Sequence, residues 1–146
     1  MSNPVSNILF KQSLWTFLLS SISTCFVQTT FFSIYVNKWF TVDDVLTLDI
    51  LAITFILLLT ITSLTTLFNL SIKVRYNKNY LVLSYFLFPF IFTLVTLIGI
   101  FRLTEKDIYP LDFLTLYISY TIIVVVFFIF HIYFYVNFWR LLKTKI

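Results

Sequence analysis

The sequence predicts an all-α integral membrane protein with four transmembrane helices, both termini cytoplasmic and no soluble domain. Three observations predict it. The 146 residues are 60% hydrophobic and only 11% charged, against roughly 25% charged in an ordinary soluble domain. Four runs, at 13–36, 50–72, 80–101 and 113–138, contain no Asp, Glu, Lys or Arg, and each is long enough for a helix to cross a hydrocarbon core. The charges between the runs are sorted by sign. A chain of this size could not hide so much apolar surface in water, so the lipid bilayer is its expected solvent.

The first run is preceded by Met1–Gln12, where Asn3 can cap a helix with Pro4 in its first turn. This start does not read as a cleaved signal, since the apolar segment is too long and no small-x-small site follows. Within 13–36, Thr16, Ser20, Thr24 and Gln28 recur every four residues and share one helical face. Such a face either packs helices through hydroxyls or lines a wetted pore. Trp39 and Phe40 suit the membrane interface. Thr41 and Asp44 have capping-box spacing, which starts the second helix near Val42. Asp43, Asp44 and Asp49 then complement its positive end.

Ile50–Ile72 is uncharged for 23 residues, a helix of roughly 35 Å at about 1.5 Å per residue. Its polar seam runs through Thr62, Thr66, Asn69 and Lys73, at spacings of four, three and four, with Thr54 extending the face. Ser63 and Thr65 widen it. Here too packing and a pore face are the alternatives. Lys73, Arg75 and Lys78 close the span, and the short connection makes the second and third spans an antiparallel hairpin.

In the third span Pro89 lacks an N–H, so it frees the carbonyl of Tyr85 and kinks the helix. Thr93, Thr96 and Gly99 lie near one face beyond it. Pro110 fits the first turn of the last helix, with Asp112 at its positive end. His131 is the one histidine and lies within the fourth span, where an ionisable group is either hydrogen-bonded in the core or functional. Pro89 and His131 are the candidate gating residues.

Counting charges orients the chain. Lys11, the second loop and the C-terminal tail hold seven basic residues and no acid; the first and third loops hold three basic residues and all six acids. Basic segments stay in the cytoplasm, which places both termini inside, at a plasma membrane of bacterial type. Asp43, Asp44, Asp49, Glu105, Asp107 and Asp112 would then form an acidic outer mouth that concentrates cations.

Catalysis is not expected. The three loops are short, no span carries Asp or Glu, and a single Cys (Cys25) and a single His form no metal site within one chain. No cofactor motif appears, and the few exposed cations do not suit nucleic acid. Two functions remain: a homo-oligomeric ion channel lined by the Thr/Asn seam, or a non-catalytic accessory subunit or immunity partner of a larger membrane complex.

The tract Ile72–Tyr80, IKVRYNKNY, closes the second helix with basic residues and opens the third with tyrosine. With the four-span layout and internal termini, it resembles the RexB-type phage-exclusion membrane proteins over about residues 50–102. The resemblance implies an ion-conducting, growth-arresting antiviral defence effector.

Overall fold

A computed structural model describes residues 4–35, 42–104 and 113–144. These are helical almost throughout. Helix α1 spans Pro4–Tyr35 and α2 spans Val42–Ser63; a 3-10 stretch follows at Leu64–Leu70; α3 is a single turn, Ile72–Arg75; α4 spans Lys78–Thr104 and α5 spans Phe113–Thr144. Four stretches are long and apolar enough to cross a membrane: Val5–Ile34, Asp44–Leu70, Lys78–Arg102 and Leu114–Thr144. The helices overrun the sequence-predicted spans at most ends, because apolar and polar residues alike continue the helix where no breaker intervenes. The second candidate span consequently takes in Asp44 and Asp49, which the charge-free boundaries had left in a loop.

Helix α1 packs along α2 and α5, α2 packs also on α4 and α5, and α4 meets α5. Two apolar clusters tie the bundle together. Ala52, Ile56, Leu59, Ile123 and Phe127 form the central one. The chain's single alanine lies here, fully buried, where the smallest side chain allows the closest approach of helices. The other cluster joins Leu9, Leu81, Tyr85 and Phe138. It brings the start of α1, the start of α4 and the last turns of α5 to one end of the bundle. Lys11, Lys73, Arg75, Lys78, Arg140 and Lys143 belong to that end by their positions in these elements.

The second span is not one continuous α-helix, contrary to its uninterrupted apolar run. Thr60, Thr62 and Ser63 turn their hydroxyls back onto the carbonyls of Ile56, Leu59 and Thr60 at 2.7–2.8 Å. These bonds compete with the backbone ladder, and the chain tightens into 3-10 geometry from Leu64. Asn69 reinforces the tighter turn by donating to Thr66 O at 2.9 Å. Ser71 then adopts an extended backbone, with ψ 128°, and ends the stretch. Across the turn, Asn77 Oδ1 accepts from the N–H groups of Asn79 and Tyr80 at 3.0 and 3.4 Å, an N-cap for α4.

Candidate functional site

The buried polar side chains form two layers that meet at Thr16 and His131, which line one small cavity. The first comes from α1 and α5. Thr16, Ser20, Thr24 and Gln28 are all at most 2% exposed, so the four-residue spacing does define one face, and that face points into the bundle. Thr16 donates to Gln12 O at 2.8 Å, and Ser20 donates to Thr16 O. Gln28 Nε2 donates to Ser119 Oγ at 2.5 Å and to Ser119 O at 3.3 Å, which joins α1 to α5 near the far end of the bundle. Gln28 Oε1 and Thr24 Oγ1 are enclosed with no hydrogen bond among the described residues.

The second layer lies toward the basic end and centres on α4. Pro89 leaves the Tyr85 carbonyl without a partner one turn later. His131 Nε2 lies 2.8 Å from that oxygen. A carbonyl can only accept, so His131 carries its proton on Nε2 and donates. The two candidate gating residues therefore meet at one atom. The ring is 3% exposed, stacked on Phe127 at 5.4 Å with a 16° interplanar angle and edged by Phe86 at 5.4 Å. Tyr85 Oη reaches across to Gln12 Oε1 at 3.1 Å, so α1 shares in the same cluster. A cavity of about 10 Å³ beside His131, lined also by Gln12, Ser13, Thr16, Thr66 and Tyr85, has room for about one water molecule.

The second-span seam divides. Thr66 and Asn69 are buried, and Asn69 Nδ2 donates to Ser84 Oγ at 2.7 Å. Thr65, named only as widening the seam, donates to Ser84 O at 2.8 Å. Thr62 is half-buried and bonded back to Leu59 O at 2.8 Å. Thr54 is exposed and bonded only to Ile50 O, at 2.9 Å, because eight residues before Thr62 an α-helix has turned about 80° past two full turns. Lys73 is exposed, since the extended Ser71 takes it off the helical face. The expected single face from Thr54 to Lys73 is thus corrected to a short inward patch, Thr65, Thr66 and Asn69.

On the far side of Pro89, Tyr120 Oη donates to Thr93 O at 2.5 Å and lies 2.6 Å from Thr96 Oγ1. Thr96 Oγ1 also lies 2.9 Å from the Phe92 carbonyl, to which it donates, so the two hydroxyls and the α4 carbonyls form one small cluster. Carbonyls four residues before and four after Pro89 are in this way both held by α5. Gly99 has no part in this contact: a Cβ there would meet nothing within 4 Å.

Of the acidic mouth, Asp49 turns toward α1, where its carboxylate meets the side chains of Thr29 and Cys25. One of its oxygens, Oδ1, is enclosed without a hydrogen bond. Asp44 is half-buried. The side chain of Asp43, and all of Glu105, Asp107 and Asp112, lie outside what is described. Among the described residues no three His, Cys, Asp or Glu side chains gather to hold a metal ion. No family model matches the chain, and neither a curated protein nor a solved structure matches it.

Proposed function

We propose that this is a polytopic membrane protein, its four long helices crossing a bacterial-type plasma membrane, that serves as a non-catalytic accessory subunit or interaction partner. The basic end of the bundle, with both termini and the turn before α4, faces the cytoplasm in this reading. One observation carries the choice over a homo-oligomeric channel. Of the seam residues a pore would need, Thr16, Ser20, Thr24, Gln28, Thr66 and Asn69 are enclosed inside one chain at 3% exposure or less, and Thr54, Thr62 and Lys73 are half-buried or exposed. A pore between chains would require the enclosed residues to turn out of the fold. What the exterior offers instead is Phe26, Ile34, Phe68, Ile98 and similar side chains, each more than half exposed, suited to lipid or to another apolar helix.

Two measurements test this reading. With Lys78→Cys or Asp107→Cys in a Cys25→Ser background, an impermeant reagent on intact cells labels position 107 and spares 78; labelling of 78 reverses the orientation. Liposomes holding the purified protein stay tight to monovalent cations. Cation flux that Asn69→Leu abolishes would restore the channel.

A further inference from the structure

The 3-10 stretch, α3 and the first half of α4 enclose an apolar groove of about 220 Å³, lined by Phe68, Val74, Tyr80, Leu83, Leu87 and Phe88, with Ser84 the one other lining side chain. We infer that this groove binds one acyl chain of an anionic phospholipid whose headgroup phosphate is held by the Lys73, Arg75 and Lys78 cluster. The inference rests on the membrane reading above and adds to it a specific ligand site. Four features of the groove carry it.

Its lining is hydrocarbon and aromatic, and Ser84 is already engaged with Leu81 O and Asn69. An open apolar groove of this kind is suited to an apolar guest. Its length fits a chain held within one leaflet. Tyr80 to Phe88 covers about 12 Å of helix at about 1.5 Å per residue, within the roughly 15 Å that is half of a 30 Å hydrocarbon core.

Its charged end matches an anion. Val74, a lining residue, sits between Lys73 and Arg75, and Lys78 precedes Tyr80 by two positions; no acid occurs between Asp49 and Glu105. Arg75 is held over the Tyr76 ring at 5.7 Å, and its Nε is enclosed with no hydrogen bond among the described residues. The positive charge of a side chain one residue from the groove-lining Val74 favours an anionic headgroup there. The groove also takes in Phe68 of the 3-10 stretch and Val74 of α3, where the second span departs from a continuous helix.

The test is a competition read by native mass spectrometry, using the full-length protein in mild detergent with phosphatidylglycerol and phosphatidylcholine of identical acyl chains. Phosphatidylglycerol is retained in preference. Arg75→Gln lowers that preference roughly fivefold, as expected for one cation at about 1 kcal/mol, while Arg75→Lys keeps most of it. Leu87→Trp, or Leu83→Trp if the first fails to fold, fills the groove and reduces retention of both lipids. Glycerol 3-phosphate, the headgroup anion without chains, does not compete. Equal retention of the two lipids, or a preference untouched by Arg75→Gln, overturns the headgroup assignment. Undiminished phosphatidylglycerol retention in both tryptophan variants, or displacement by glycerol 3-phosphate, overturns the groove. Carbonate extraction keeps the two claims apart. Protein that stays in the membrane pellet yet shows no lipid preference loses only the site, and protein released from the pellet loses the membrane reading itself.

Discussion

The two buried polar layers differ in what they satisfy. Around Pro89 the donors of α5 go to backbone: His131 to the Tyr85 carbonyl and Tyr120 to the Thr93 carbonyl, at 2.8 and 2.5 Å. Around Gln28 the bond runs chiefly from side chain to side chain, and Gln28 Oε1, Thr24 Oγ1 and Ser21 Oγ are left without partners. The Pro89 layer repairs, at Tyr85 O, a defect that the sequence imposes on a helix; in an apolar surround an unpaired carbonyl costs about 1–3 kcal/mol. The Gln28 layer joins two sound helices and leaves acceptors open among the described residues. The lesson is that a buried polar residue in an apolar bundle is not one kind of feature. The backbone debt beside it decides how much depends on it.

Substitutions sharpen this contrast. His131→Leu has the largest expected effect, about 1–3 kcal/mol of lost stability, because it strands the Tyr85 carbonyl in an apolar surround. Reversible unfolding in mixed micelles measures it. Tyr120→Phe comes next, at about 1 kcal/mol, since Thr93 O keeps its place in the helix ladder when the phenol is gone. Gln28→Leu costs less than about 1 kcal/mol, for it removes an unpartnered oxygen along with the bond to Ser119. It also leaves the oligomeric state unchanged, because Gln28 is 0% exposed within one chain. A shift in assembly on size-exclusion chromatography would move that seam to an interface between chains. Thr54→Val, on the exposed face, stays within about 0.5 kcal/mol of the parent. A larger loss there would mean that the outer face of α2 is packed on a partner.

Which parts were legible in the sequence follows from the range of the signal. Four long apolar helices were readable because each run declares itself over some twenty consecutive residues. The inward face of α1 was readable too, since Thr16, Ser20, Thr24 and Gln28 keep a four-residue period over an unbroken helix. The freed carbonyl of Tyr85 followed from Pro89 alone. Its partner did not, because His131 lies 46 residues away and nothing local tells which turn of α5 will oppose Pro89. The break in the second span was hidden for another reason. Thr and Ser are tolerated in a helix singly, and only their succession from Thr60 to Thr66 tightens it. Lys73 was assigned to the seam on the assumption that the helix ran on without interruption, and Thr54 by a spacing of eight that an α-helix does not keep on one face.

The repair of Pro89 by His131 is the claim on which this account of the interior rests, and a double-mutant cycle tests it most directly. Pro89→Ala restores an N–H that can bond Tyr85 O within α4. His131→Leu should therefore cost about 1–3 kcal/mol in the parent but clearly less in the Pro89→Ala background, a coupling of at least about 1 kcal/mol between residues on different helices. Equal costs in both backgrounds would contradict it, and would leave His131 as a buried histidine whose bond to Tyr85 supports nothing.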